Sequence, residues 1–294
     1  MAKICFTTFC SDNHYQYFIP IFVYSVKIAY PNAGVKVFLK GKLKDNIRDV
    51  LKEIEYPDWE VKENFFTHYP NMRSMCNSLR FLIPQEEYEG YDYIFIRDVD
   101  FIVFAHKFSH LDFFAKKMGN DPIYAVRGPY RNPRRPEITS NGWTGDFSRI
   151  AGGTVVFKNP DWYNKTNSVT KEYRHNLKHG IHDEYDKHIP ASYREYDEVM
   201  LYRICKKCKI KTPKIKNRDI HGSGISSLYR DIHLGDFDKK WKLKRLRRVL
   251  KKENIDNFLR LEQDPLWQKI KEAVWRNEKI RKPLKRLLKH TTVR

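Results

Sequence analysis

The chain has 294 residues, 41% hydrophobic and 14% aromatic, a mixture too apolar for disorder and enough for one large domain or two small ones. Its formal charge is +20, yet residues 239–294 hold twenty Lys and Arg against six Asp and Glu, so the first 238 residues carry only +6. A nucleic-acid-binding domain spreads its basicity over its binding face, so this distribution argues against nucleic acid as a partner. No run of eighteen apolar residues is present to span a membrane as a helix.

In chain order, residues 4–9 form an apolar, β-branched run and predict a first strand, closed by Ser11-Asp12-Asn13. Residues 20–29 have helical spacing, with Pro20 tolerable in the first turn. Pro31-Asn32-Ala33-Gly34 is a turn, followed by a strand at 35–39, a charged helix at 44–53 and a short strand at 59–61. Residues 75–83 read as a helix closed by Pro84. A buried strand at 91–96 leads into Arg97-Asp98-Val99-Asp100 and a second apolar run at 101–104. Residues 123–126 and 154–157 are further strands, separated by a long loop at 128–149, and 195–206 is helical. Strands alternating with helices from the first residue predict an α/β fold with a mainly parallel sheet.

The five cysteines are odd in number and scattered, which points to a reducing compartment. Residues 1–6 enter a strand directly, without a secretory pattern, so a cytoplasmic location is the expectation.

Asp98 and Asp100 interrupt sequence that otherwise belongs in a core. Charge in such a place is costly unless it is paired or binds metal. At the carboxyl end of a parallel strand, where open α/β sheets bind ligands, two carboxylates would supply hard oxygen ligands for Mn²⁺ or Mg²⁺ against substrate phosphates. The plainer reading is a strand end with Arg97 as ion-pair partner.

These residues, with four further segments in order, resemble the GT-A-fold glycosyltransferases. The likeness is to the family-eight type, which includes glycogenin and lipopolysaccharide galactosyltransferases, over about residues 3–235. The segments are the Thr7–Tyr15 stretch, Arg80 before Pro84, Ala151-Gly152-Gly153 leading a strand, and Tyr196-Asp197-Glu198. The resemblance implies a GT-A domain over 1–238, a mixed, mainly parallel sheet flanked by helices, with a basic helical extension over 239–294. It implies donor contacts from Thr8, Ser11, Asp12, His14, Tyr15, Arg80, Asp98, Val99, Gly152, Gly153 and Gly224, with His14 or Tyr15 stacking on the base. Ala151 stands where the family has asparagine, and Glu198 where it has glutamine. The Asp197-Glu198 pair and Gly145-Asp146-Phe147 are similar instead to the family-six type.

A third metal ligand is implied late in the domain: His221, from His221-Gly222-Ser223-Gly224, with His233 as the rival. Glu198 is the expected catalytic carboxylate, under the anomeric carbon or as base toward the acceptor hydroxyl, while Asp197 either assists or caps its helix. The implied reaction is metal-dependent transfer, with retention, from a UDP- or other nucleoside-diphosphate sugar to a glycan or glycolipid acceptor. A nucleotidyltransferase, or a non-catalytic RNA- or membrane-binding adaptor, is the alternative.

In the tail, Leu243, Leu246, Val249 and Leu250, and again Ile280, Leu284, Leu287 and Leu288, recur at helical spacing among Lys and Arg. Such helices suit an anionic membrane surface, or pack on the body and show a solvated basic face.

Overall fold

The computed structural model describes residues 2–11, 14–69, 78–105, 110–126, 151–180, 197–211, 231–237 and 252–291. In chain order these form β1 (Ile4–Cys10), α1 (Ile19–Ala29), β2 (Gly34–Leu39), α2 (Asp45–Lys52), β3 (Trp59–Lys62), β4 (Tyr93–Arg97) and β5 (Phe101–Ile102). There follow α3 (His110–Met118), β6 (Ile123–Val126), β7 (Ala151–Lys158), α4 (Asp161–His179), α5 (Asp197–Lys207), β8 (Ile232–His233), α6 (Lys252–Glu262), α7 (Pro265–Val274) and α8 (Glu278–Thr291).

Six strands make one sheet in the order β3-β2-β1-β4-β7-β6. The β3-β2, β2-β1 and β1-β4 pairs are parallel, whereas β7 runs antiparallel to both β4 and β6. This is the mixed, mainly parallel sheet flanked by helices that the sequence predicts. Both faces are covered, as a parallel sheet requires. Alternation along the strands sorts the side chains: Phe6, Val35, Val37, Phe95 and Val156 face one layer, and Cys5, Ile94, Ile96, Val155 and Phe157 the other. The first layer contains α1, α2 and the three C-terminal helices, and the second contains α4 and α5.

Two helices show how the local chemistry works. In α4 the inward face is Trp162, Tyr163, Thr166, Thr170, Tyr173 and Leu177. Both threonines are buried because their hydroxyls donate to carbonyls of their own helix, Trp162 at 2.8 Å and Asn167 at 3.1 Å. In α7, Pro265 follows the N-cap Asp264, whose carboxylate accepts from the Leu266 and Trp267 amides at 2.9 and 3.0 Å. The same oxygen accepts from the Tyr24 hydroxyl at 2.6 Å and so ties α7 to α1.

Residues 252–291 are not a separate layer. Ile255, Phe258, Leu261, Trp267, Ile270, Val274, Ile280, Leu284 and Leu287 lie in the same apolar cluster as the sheet residues Phe6 and Phe95. Of the two readings of the stripe at Ile280, Leu284 and Leu287, the structure displays the packed one. Its counterpart at 243–250 lies outside the described residues. No described helix is long and apolar enough to cross a membrane.

Candidate metal centre

The parallel strands β1 and β4 end at one edge of the sheet, and the chain leaves β4 there through Asp98-Val99-Asp100. Val99 is buried in the core and anchors the turn between the two carboxylates. The chain then re-enters order as β5, which pairs with β8 so that Phe101 lies opposite His233. The ladder is only two residues long, and the Leu234 amide extends it by donating to the Asp100 carbonyl at 2.8 Å.

This pairing brings His233 to the aspartates. Asp98, Asp100 and His233 each offer one ligand atom within 4.8 Å of the others. The His233 Nε2 is 3.1 Å from an Asp100 carboxylate oxygen. Asp98 is ion-paired with Arg80, whose guanidinium is itself buried and lies 5.0 Å from the Phe81 ring. The imidazole stacks on Phe101, with centroids 4.7 Å apart and planes 15° from parallel. Two carboxylates and an imidazole suit Mn²⁺ or a related first-row ion, which accepts both donor types, better than an all-oxygen Mg²⁺ or Ca²⁺ site. The donor set therefore fits a divalent metal ion.

Arg97 is not the partner of either aspartate. It forms an ion pair with Asp231, and both side chains have no solvent exposure. The plainer reading of the Asp98–Asp100 pair, a strand end neutralised by Arg97, is thus replaced by Arg80 on one carboxylate and His233 beside the other.

The remaining predicted residues are distributed as follows. Thr8 is buried in β1, and Ser11 is half-buried just beyond that strand's carboxyl end. His14 is exposed and Tyr15 opens a short 3₁₀ turn, its ring 5.7 Å from Phe18. The Lys279 ammonium, at the start of α8, is 6.0 Å from the Tyr15 ring centroid. Gly152 and Gly153 belong to β7. Thr154 of that strand pairs with Arg97, so the glycines run on antiparallel beside the Asp98 turn. Helix α5 starts at Asp197, which puts Asp197 and Glu198 in its first turn. Asp12, His221 and Gly224 lie outside the described residues, as does the long loop. The site therefore brings together Arg80, Asp98, Asp100 and His233, the last being the histidine the sequence held as the rival.

Asp231 was missed by sequence reasoning. A single acidic residue before an Ile-His pair carries no periodic or motif signal, and only the pairing of β5 with β8 reveals its partners.

Among known proteins, no protein-family model and no curated protein matches the sequence. Some solved structures are similar to it over part of its length. The galactosyltransferase LgtC, in complex with donor and acceptor sugar analogs, is 16% identical with a TM-score of 0.42 over 59% of this chain and 66% of its own. An active-site mutant of LgtC gives 15% and 0.42, over 65% of that chain. The apo form of the glycosyltransferase GlyE from Streptococcus pneumoniae TIGR4 is 15% identical with a TM-score of 0.43, over 69% of this chain and 43% of its own. The chain thus spans less than two thirds of the length of each of these proteins. At this level the likeness carries no chemistry, which rests on the Asp98–Asp100–His233 geometry itself.

Proposed function

We propose that the protein is a metal-dependent glycosyltransferase that uses a nucleoside-diphosphate sugar. The observation that carries this reading is the convergence of Asp98, Asp100 and His233 at the carboxyl edge of the parallel strands, the place where open α/β sheets bind ligands. Asp98, Asp100 and His233 would hold the ion, Mn²⁺ for preference. When bound it supplies neutralisation of the charge that gathers on a departing nucleoside diphosphate.

The chain's own residues do the rest. Arg80 keeps Asp98 fixed in orientation through a half-buried, charge-assisted hydrogen bond. Ser11, His14 and Tyr15, just beyond β1 at the same edge, are proposed to border the nucleotide, with Tyr15 or His14 against the base. Asp12 and Gly224 are assigned to the same donor site from the sequence alone. Gly152 and Gly153, beside the Asp98 turn, allow a sugar to approach the backbone closely. Glu198 is the proposed catalytic carboxylate. Transfer with retention to a glycan or glycolipid hydroxyl is the outcome this reading favours.

The C-terminal helices bear on partners. Among the described residues the apolar face of α8 is occupied, so attachment of that helix to an anionic membrane would rest on exposed basic side chains such as Lys279, Lys282, Lys285 and Lys289 and would weaken with salt.

The test is hydrolysis and transfer with a panel of sugar nucleotides, with Mn²⁺ and with chelator, for wild type and Asp100→Ala. Turnover of at least one donor that needs the metal and is lost in Asp100→Ala is expected. No metal-dependent binding or turnover of any donor would sink the reading.

A further inference from the structure

Two ionised side chains with no solvent exposure, Arg97 and Asp231, stand next to this site, and the proposed chemistry makes no use of them. A buried ion pair is poor evidence of stabilisation. Desolvation offsets most of the attraction, and well-packed apolar replacements are often as stable or more so. The placement of the pair suggests another role.

Asp231 lies one residue before β8. Its two oxygens are used on different parts of the 97–104 segment: one accepts from the Arg97 guanidinium, the other from the Phe104 amide at 3.0 Å. Asp231 therefore clamps the start of β8 to both ends of the segment that contains Asp98 and Asp100. The ladder it holds consists of two residue pairs, Phe101 with His233 and Ile102 with Ile232. So short a ladder is marginal unaided. A slip of one residue would turn His233 to the opposite face. Arg97 also lies against the Phe101 ring, 5.2 Å from its centroid, and the same ring stacks on His233. Guanidinium, phenyl ring and imidazole are linked through one aromatic side chain.

We propose that Arg97 and Asp231 are positioning residues for the metal site, fixing the register and ring orientation of His233 relative to Asp100. This rests on the metal reading above. Loss of groups that orient a metal ligand typically weakens metal affinity by about 10- to 100-fold.

The experiment measures Mn²⁺ affinity by the EPR signal of free Mn²⁺, with thermal midpoints in parallel. It uses the full chain as wild type, Asp231→Asn, the apolar double variant Arg97→Met/Asp231→Leu, and Leu51→Ala, whose buried side chain lies in α2. Asp231→Asn is expected to bind Mn²⁺ at least tenfold more weakly than wild type. The double variant should match or exceed the midpoint of Asp231→Asn while binding Mn²⁺ no better. Leu51→Ala should lose stability but keep wild-type affinity. Wild-type affinity in Asp231→Asn or in the double variant would overturn the proposal. So would equal weakening in Leu51→Ala, or failure of both pair variants to fold, since either assigns the pair to stability alone. A wild-type protein that binds no Mn²⁺ would instead remove the metal reading, and this inference with it.

Discussion

Replacing Trp267 with alanine tests whether the C-terminal helices and the sheet share one core. Trp267 has no exposed surface, meets Phe258 edge-on at 6.5 Å, and donates its indole N–H to Glu262 at 2.6 Å. Removing a buried indole costs about 3–5 kcal/mol, against a total stability of about 5–15 kcal/mol for a typical domain. At this chain length each kcal/mol moves the melting midpoint by about 2 °C, so a fall of roughly 6–10 °C is expected. Calorimetry and near-ultraviolet circular dichroism should show one transition in wild type, and the whole of it should move in Trp267→Ala. Two transitions, of which only the smaller moves, would refute the single core and make the C-terminal helices an independent unit.

Two further substitutions probe the frame around the site. Partial burial works against the charge of Glu63, but the Leu43 amide and Arg48, each at 2.7 Å, outweigh it and hold the carboxyl below its ordinary value. A depressed carboxyl contributes stability that is complete above the ordinary carboxylate range and is lost as pH falls through the depressed value. Glu63→Gln should therefore narrow the stability difference between neutral and acid pH, read from urea midpoints at each pH. An unchanged difference would contradict the assignment. At the opposite edge of the sheet, a β-carbon on Gly34 would overlap the Tyr91 ring, which donates its hydroxyl to Asp58 at 2.9 Å. Gly34→Ala should cost about 1–3 kcal/mol by urea titration, and the double variant Gly34→Ala/Tyr91→Phe should recover only part of it, because both the hydroxyl and the ring edge of Tyr91 are in the way. Tolerance of Gly34→Ala at wild-type stability would show that the ring is free to move aside.

Much of the sheet was legible because its strands are compact apolar runs bounded by strong turn signals. The predicted strands at 4–9, 35–39 and 59–61 recur within a residue or two. Direction was less legible: β7 is a buried run whose pattern is the same read parallel or antiparallel, and only the register with β4 decides it. Helix α4 was passed over because two of its inward positions are Thr166 and Thr170, polar by composition but buried through bonds to their own backbone. In the tail, the spacing of Ile280, Leu284 and Leu287 correctly implied a helix. A stripe of that kind does not say whether lipid or protein will cover it, and here protein does. The Asp98–Asp100 pair was visible as charge set in apolar sequence. Its third member was not separable on sequence, since His221 and His233 each have a glycine within two residues, and a two-residue strand leaves no periodic trace.

Binding of Mn²⁺, titrated with and without a nucleoside diphosphate and followed by EPR, tests the central claim most directly. The Asp98–Asp100–His233 site predicts one Mn²⁺ per chain, tightened by the diphosphate, and weakened at least tenfold in Asp100→Ala and in His233→Ala. Binding that is equally strong in both variants, or a diphosphate that leaves Mn²⁺ affinity unchanged, would contradict it.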